Sequence, residues 1–207
     1  MRKIVLFLIV TFTASYILAW RGSHSTTKKQ NAKISSDLPI DLIHSGDLVF
    51  RDGRGIVSNT FKQFSQKDSR YSHVGIIHRE SGSLYVYHII GDAQNKNENM
   101  RKELLINFIS PLQVNAFAIY RSNLNPEKID SLSGVFYSRK IQFDSSFDLS
   151  TDNKMYCTEF VYKVLSIVSG QNNLISLNTM NGKTFIACDN IYLSSNMENI
   201  YSHIYEN

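Results

Sequence analysis

The chain contains few of the residues that mark fibrous, low-complexity or disulfide-stapled proteins. Among its 207 residues there are 3 Pro, 10 Gly and 2 Cys. So few Pro and Gly exclude a collagen-like or low-complexity chain, and two cysteines allow one disulfide at most. The hydrophobic fraction of 43% is that of a globular protein, and it excludes a disordered tail and a polytopic membrane protein. The length fits one domain with a short appendage.

A large excess of one charge sign is also missing once the N-terminus is set aside. The 22 Lys and Arg residues and 18 Asp and Glu residues give a formal net charge of +4. Met1-Arg2-Lys3 precedes an uncharged run from Ile4 to Trp20, which is the layout of an export signal. Removing residues 1–22 takes away three basic residues and no acidic one, so the remainder carries +1. No dense Lys/Arg cluster follows, and we expect no nucleic-acid partner.

The N-terminal run predicts an exported protein, periplasmic or associated with the cell envelope. Its roughly 17 residues are at the short limit for spanning a bilayer. A signal peptide over residues 1–22 therefore competes with an uncleaved N-terminal membrane anchor, and cleavage after Ala19 fits poorly because Trp20 is bulky. Residues 23–37 are rich in Ser, Thr, Lys and Asn and predict a flexible linker. Residues 38–207 predict one folded domain.

The pattern of this domain predicts helices and mostly antiparallel strands in mixed order, an α+β fold. The predicted helices are 55–64, 125–137 and 155–168, and the predicted strands are 47–51, 72–78, 83–90, 116–121 and 183–187. In the helix over 155–168, Glu159 and Lys163 pair on the polar face, and Gly170 ends the helix. Asp189 is placed to cap a last short helix.

The two cysteines leave three interpretations open. In an exported chain, a disulfide between Cys157 and Cys188 is the ordinary one. Alternatively, Cys157 lies in the first turn of a helix, where backbone N–H groups and the helix dipole favour a thiolate. Such positions lower a cysteine pKa from about 8.5 into a range of roughly 3.5–7.5. Third, Cys157 shares an apolar stripe with Val161 and Leu165 and packs as a small hydrophobic residue.

Two histidines share one face of the predicted hairpin. A four-residue loop over 79–82 sets His73 directly across from His88. Cross-strand partners point to one face, so His88 can orient His73 as the base for a nucleophile. Gly75 on the same face leaves room for another element. Two structural histidines are the ordinary alternative, and a metal site lacks a third and fourth ligand, so we expect no metal or cofactor.

Several motifs follow one another along the domain. They are Ser45-Gly-Asp-Leu-Val-Phe50, Tyr71-Ser-His-Val-Gly-Ile76, Val86-Tyr-His88, Phe147-Asp148, Tyr156-Cys-Thr-Glu159 and Phe185-Ile-x-x-Asp-x-Ile-Tyr192. In this order, over about residues 42–195, they resemble the permuted NlpC/P60 papain-like cysteine hydrolases of the YiiX/YebB-like group. The histidine precedes the cysteine, so the resemblance implies a circularly permuted papain-like fold. It places a nucleophile helix against a small antiparallel sheet or barrel.

The resemblance also implies roles for individual residues. Cys157 would be the nucleophile, and His73 its general base and later its acid. The third, orienting position falls on His88, where many relatives have Glu. Cys188 occupies a position where relatives commonly have Pro, and it is interpreted as structural. Glu159, near the nucleophile, is interpreted as structural as well.

The chemistry implied by the resemblance is covalent acyl transfer. The thiolate of Cys157 attacks an amide or ester carbonyl, a thioester forms, and water or another acceptor resolves it. The backbone N–H of Cys157 and one further donor hold the oxyanion. The hydroxyls of Tyr71 and Tyr156 lie close to the motifs, although tyrosines in such positions are more often packing residues.

Three functions follow from this resemblance. The first is an exported cysteine amidase or peptidase acting on cell-wall peptide or a related amide. The second is a thiol acyltransferase or esterase acting on lipid acyl groups. The third is a non-catalytic binding domain of the same fold. In each case we expect the partner to be a small-molecule, peptide or lipid component of the cell envelope.

Overall fold

Six strands of the domain form one antiparallel sheet. A computed structural model describes residues 38–91, 100–180 and 182–206; the predicted export segment and linker lie outside them. The strands of this sheet are β1 Leu48–Gly53, β2 His73–Glu80, β3 Ser83–His88, β4 Arg101–Leu104, β5 Val114–Ser122 and β10 Met197–Ile204. Their order is β10-β5-β1-β2-β3-β4. Two further pairs are β6 Gln142–Phe143 with β7 Lys154–Met155, and β8 Asn178–Met180 with β9 Lys183–Phe185.

Helices are interspersed among these strands, so the α+β prediction is confirmed. In the described part of the chain they are α1 Ile56–Lys62, α2 Leu105–Phe108, α3 Pro126–Ser138, α4 Cys157–Ser169 and α5 Cys188–Tyr192, with a 3-10 turn at Ile40–Leu42. No helix within these residues is both long and apolar enough to cross a membrane.

Helix α4 is the amphipathic helix that the sequence predicts, and it fixes the place of Cys157 at its first position. One side of α4 is fully buried against the sheet through Phe160, Val161, Val164 and Leu165. The helix ends at Gly170, whose φ of +68° is a left-handed conformation that glycine adopts without strain.

The predicted pair of Glu159 and Lys163 forms, but not on a polar face. The two charged groups are 2.9 Å apart, and the Glu159 side chain is fully buried. The Glu159 carboxylate also accepts the backbone N–H of Tyr156 at 3.2 Å. This contact satisfies a donor at the start of α4, where backbone N–H groups lack partners within the helix. The structural interpretation of Glu159 agrees with this arrangement.

Strand alternation divides the sheet into two faces. Phe50 of β1 pairs with Val74 of β2, and both lie in the core that α4 covers. One residue away, Arg51 pairs with His73, so these two side chains point to the opposite face. On that face the ring of Phe108, at the end of α2, is fully buried.

The turn between β2 and β3 is tighter than predicted. Its two residues, Ser81-Gly82, both have positive φ, at 49° and 79°, as in a type I′ turn. Ile76 pairs with Tyr87, so the register differs by two residues from the prediction, and the direct pairing of His73 with His88 is wrong. Because side chains alternate with a period of two, both histidines nevertheless stay on one face.

Gly75 lies where β3 closely approaches β2. A Cβ on this residue would clash with Cγ1 of Val86 and would lie 2.8 Å from the carbonyl oxygen of Tyr87 and 3.0 Å from Cβ of His88. The space beside Gly75, which the sequence analysis expects another element to occupy, is therefore taken up by the neighbouring strand β3.

Substitution of Gly75 tests this close approach. We expect Gly75→Ala to lower the free energy of unfolding by about 1–3 kcal/mol, because an overpacked site forces backbone shifts. Gly134→Ala in α3 is the matched control, since its added Cβ meets no atom within 4 Å. Alanine favours a helix over glycine, so we expect the control to gain up to about 1 kcal/mol. Chemical denaturation measures both variants, and a Gly75→Ala protein as stable as the parent would contradict the packing described.

Candidate active site

Cys157 is a buried thiol at the point where α4 meets the end of β2. Its side chain is 6% exposed, and neither it nor Cys188 is in a disulfide. The backbone N–H groups of Val74 and Thr158 lie close enough to the sulfur to lower the pKa of the thiol. Val74 directly follows His73, so the thiol lies beside the peptide group that joins these two residues.

The two predicted histidines are in direct contact. Nε2 of His73 lies 2.9 Å from Nδ1 of His88. Both side chains are buried, and their rings meet at an interplanar angle of 84°. The ring of Phe108 packs against both imidazoles, with centroid distances of 5.5 and 5.1 Å. The structure thus brings His73 and His88 into contact, and it places the thiol of Cys157 beside the backbone N–H of Val74, the residue that follows His73.

Glu103 lies next to the other ring nitrogen of His88, so that Glu103, His88 and His73 form a line of side chains. The sequence pattern gave no indication of Glu103. Its Oε2 lies 3.2 Å from Nε2 of His88. The alignment is poorer than that of a full hydrogen bond. Glu103 pairs with Val86 across β3 and β4, and Val86 lies two residues from His88, so Glu103 and His88 share one face of the sheet. Strand β4 reads Arg-Lys-Glu-Leu, and such a charged segment carries no strand signal.

The contacts among His73, His88 and Glu103 determine which ring nitrogen of each histidine carries a proton. Burial lowers the pKa of His73 well below its usual value and lowers that of His88, so both rings are neutral. The hydrogen bond to His88 lowers the pKa of Glu103, which stays a carboxylate and can only accept. His88 therefore donates from Nε2 and accepts at Nδ1 from Nε2–H of His73. This assignment leaves Nδ1 of His73 with the lone pair that can take a proton.

Arg51 adds a buried positive charge next to this line, although the sequence marked it only as the end of a strand. Its side chain is 7% exposed. The guanidinium donates to the carbonyl oxygen of Phe108 at 3.0 Å and lies 4.3 Å above the centre of that ring. Its charge opposes protonation of His73 and favours the thiolate form of Cys157.

The resting thiol is nevertheless neutral. Burial raises the pKa of Cys157 to about 11, against the opposing effects of three backbone N–H groups and the charge of Arg51. The prediction of a pKa lowered by the helix start is therefore wrong, because loss of hydration outweighs the hydrogen bonds. The thiol of Cys157 and the imidazole of His73 therefore both rest neutral, so any nucleophilic attack by this sulfur requires a proton transfer.

The two tyrosines near the motifs are packing residues. Tyr71 is buried, and its ring lies 5.9 Å from that of Phe50 and 5.2 Å from that of Tyr192. The hydroxyl of Tyr156 accepts the backbone N–H of Ile186 at 3.0 Å. These contacts account for both residues.

A pocket of about 480 Å³ opens beside the thiol. It lies between α1, the segment around Phe147, the start of α4 and the segment that joins β9 to α5. Both cysteines line it together with Phe61, Phe64, Phe147, Met180, Phe185 and Ile186. A substrate that reaches Cys157 through this pocket therefore contacts mainly apolar side chains.

The donor set does not fit a metal ion. Within residues 38–91, 100–180 and 182–206, no group of three or more His, Cys, Asp and Glu side chains is arranged to hold one. Nδ1 of His88 faces His73, and Nε2 of His88 faces Glu103. The ring nitrogens of His88 are thus committed to protein partners.

The alkylation rate of Cys157 tests its protonation state. We expect iodoacetamide to react slowly near pH 7 and about tenfold faster for each pH unit above it, because only the thiolate attacks. Cys188 is the internal control, since burial raises its pKa well above the usual value. We expect it to react more slowly than Cys157 at every pH. Mass mapping of peptides after timed labelling measures both rates. A rate for Cys157 that stays constant between about pH 6 and 9 would show a pre-formed thiolate, against the raised pKa.

Comparison with known proteins identifies the family. Residues 42–195 match a family model described as permuted papain-like amidase enzyme, YaeF/YiiX, C92 family. Among solved structures, the chain is similar to that of the metalloprotein yiiX from Escherichia coli O157:H7, with a TM-score of 0.62 and 16% sequence identity. That likeness covers 78% of this chain and 98% of the other and supports the permuted papain-like fold. No curated protein sequence gives a significant match. Because the family model spans most of its length, the chain belongs to the YaeF/YiiX, C92 family of permuted papain-like amidases and is a cysteine amidase-like hydrolase.

Proposed function

We propose that the protein is an exported cysteine hydrolase that cleaves an amide of the cell envelope through a thioester on Cys157. The observation that carries the proposal is the line of contacts from Glu103 through His88 to His73, whose neighbour in the chain, Val74, has its backbone N–H beside the buried thiol of Cys157. A purely structural pair of histidines would not need a buried thiol beside the residue that follows His73. A non-catalytic domain of the same fold would not need to keep this arrangement either.

In the proposed acylation step, Nδ1 of His73 takes the proton of Cys157 as the sulfur attacks the carbonyl carbon. The oxyanion accepts a hydrogen bond from the backbone N–H of Cys157 at the start of α4. Protonated His73 then gives its proton to the amide nitrogen. The C–N bond breaks, the amine leaves, and the acyl group remains on sulfur as a thioester.

Deacylation runs through the same base. His73, neutral again, takes a proton from water, and the resulting hydroxide equivalent attacks the thioester carbonyl. The C–S bond breaks, protonated His73 returns its proton to the sulfur so that the thiol of Cys157 is restored, and a carboxylic acid is released. No oxidant or co-reactant other than water is required.

His88 and Glu103 together fill the role that a carboxylate has in related triads. A neutral imidazole alone stabilises the imidazolium form of His73 less than a carboxylate does. Glu103 supplies the negative charge one side chain further away, at 3.2 Å from His88. Its distance from His73 makes Glu103 a positioning residue, which acts through His88.

Export rests on the sequence pattern. The uncharged run after Met1-Arg2-Lys3 supports delivery to the periplasm or cell envelope, by a cleaved signal or by an anchor. The near-neutral remainder supports a small-molecule, peptide or lipid substrate of the envelope and no nucleic-acid partner. The E. coli protein is described as a metalloprotein, but the residues described for this chain include no group of three or more His, Cys, Asp and Glu side chains arranged to hold a metal, so no proposed step involves one.

Substitutions of His73 and His88 test the roles proposed for these two residues. With a p-nitrophenyl ester as a generic acyl donor, we expect His73→Ala to slow acylation of Cys157 by about 10²–10⁴-fold, because the general base is lost. His88→Ala should cost less, since His73 keeps its ring but loses its orientation. Release of p-nitrophenolate measures the rate, and a larger loss for His88→Ala would mean that the two roles are exchanged.

Glu103→Gln separates positioning from simple folding. The amide keeps the shape but removes the charge that stabilises imidazolium, so we expect a slower rate and an acid limb moved to lower pH. Glu80→Gln is the control, because Glu80 pairs with Lys102 on the exposed side of the hairpin. An unchanged pH profile for Glu103→Gln would remove Glu103 from the mechanism.

A further inference from the structure

We propose that one end of the six-stranded sheet, the end at which Cys157 lies, docks on the surface of an anionic lipid bilayer. The docking surface consists of residues 54–57, Leu112 and Ile204. This inference goes beyond the proposed function, because it concerns the partner that the domain meets and not the bond that it cleaves. Side-chain exposure, backbone contacts and the distribution of charge support it.

The three most exposed large apolar side chains of the described residues lie on the docking surface. Ile56 is 85% exposed, Ile204 78% and Val57 68%, and Leu112 adds a fourth side chain at 56%. Single exposed apolar residues are ordinary on a protein surface. Several that share one end of a fold instead indicate contact with an apolar partner.

Backbone contacts join the three stretches of chain that carry these side chains. The N–H of Arg54 donates to the carbonyl oxygen of Gln113 at 2.8 Å, and Nε of Arg54 donates to the carbonyl oxygen of Val114 at 3.2 Å. The N–H of Tyr205 donates to the carbonyl oxygen of Asn115 at 2.9 Å. The stretch before α1, the turn before β5 and the end of β10 are therefore held together at one end of the sheet.

The active site lies at this same end. Arg51, near the end of β1, pairs with His73 at the start of β2 and with Phe117 in β5. The N–H of Gly53 also donates to Oγ of Ser72 at 3.0 Å. A bilayer that contacts the docking surface therefore meets the domain at the end where β2 begins with His73.

Positive charge is concentrated beside the docking surface. Residues 54–72, which connect β1 to β2, contain four basic residues and one acidic residue, whereas all residues after position 22 together have a net charge of only +1. Within the part of the chain that the structure describes, Arg54 and Lys67 are exposed and form no ion pair, and the other two basic residues of this connection pair with aspartates. Glu206 is an exposed acidic residue shortly after Ile204, so attraction to anionic lipid depends on the basic connection.

A buried carboxylate fastens this connection, although the sequence predicted another role for it. The N-cap of α5 is Ala187, so the prediction that Asp189 caps this helix is wrong. Oδ2 of Asp189 instead accepts the backbone N–H groups of Gln66 at 2.9 Å and Lys67 at 2.8 Å. Because the connection is fixed in this way before it meets a partner, little conformational entropy is lost there on binding.

These side chains fit a membrane surface better than a protein partner. Ile, Val and Leu side chains enter the boundary between headgroups and acyl chains, while Arg and Lys remain at the phosphate groups. Interfaces between proteins depend instead on buried Trp, Tyr and Arg residues. The exposed apolar residues of the docking surface are all aliphatic, and basic residues lie beside them, so an anionic bilayer is the partner that fits both.

Fluorescent probes at single positions test the docking on the full-length chain. In a background that carries Cys157→Ser and Cys188→Ser, the fluorophore NBD is attached through Val57→Cys, Leu112→Cys or, as a control, Ile167→Cys. Ile167 is 59% exposed and lies in the last turn of α4, at the far end from position 157. With vesicles of phosphatidylcholine and phosphatidylglycerol, we expect blue-shifted emission and quenching by doxyl-labelled lipid at positions 57 and 112, but not at 167.

Three outcomes would overturn the proposal. Probes at 57 and 112 that stay in water while the protein is bound to vesicles would do so, because an N-terminal anchor tethers the domain without burying either position. Equal shifts at all three positions would show unspecific adsorption. A shift that needs no vesicles and grows with protein concentration would show that a second copy covers the surface. None of these outcomes depends on hydrolysis, so the proposed function is tested separately, and thermal unfolding shows whether each variant is folded.

Arg54→Gln and Lys67→Gln test the electrostatic part of the docking. Each removes one positive charge near an anionic surface, so we expect the ratio of buried to exposed probe at position 57 to fall about fivefold for each variant. Lys128→Gln is the matched control, because Lys128 is exposed near the start of α3, which lies against Gly46 at the opposite end of the sheet. An unchanged ratio in both test variants would overturn the assignment to an anionic bilayer.

Discussion

The hydrogen bond between two buried imidazoles, His73 and His88, is the constraint around which the site is built. It forms because β2 and β3 carry both residues on one face, and because Gly75 lets β3 approach closely. Glu103, next to Nε2 of His88, then favours the tautomer of His88 that carries its proton on Nε2. The same burial that makes this bond strong keeps the imidazoles and the thiol of Cys157 neutral, so geometry and protonation have one common cause.

Much of this arrangement was predictable from local pattern, and the exceptions have physical reasons. The start of α4 at Cys157 follows from apolar spacing, and the shared face of the histidines follows from strand alternation. The register was wrong by two residues because the sequence Arg79 to Gly82 fits both a four-residue and a two-residue loop. Glu103 and Arg51 were not predicted because the charged segment of β4 and one basic residue at a strand end carry no sign of burial.

The pocket beside Cys157 is a feature of the structure that no local sequence pattern predicts. Its rings come from three separate stretches of chain, and the contact that holds them, from Asp189 to Gln66 and Lys67, spans more than a hundred residues. A carboxylate near a short helix is more often its cap, and only the folded chain shows that backbone groups of a distant loop use it instead. The edge strand β10 is a similar case, since its exposed residues give a weak signal.

The raised pKa of Cys157 has a consequence for the survival of the protein. Peroxides and disulfides react with thiolates far faster than with thiols, so a low-pKa nucleophile in an oxidising compartment is steadily consumed. A thiol that rests protonated and 6% exposed is protected from this chemistry. In the proposed mechanism, this thiol becomes nucleophilic only while His73 removes its proton, so its chemical durability and its catalytic competence are separated in time.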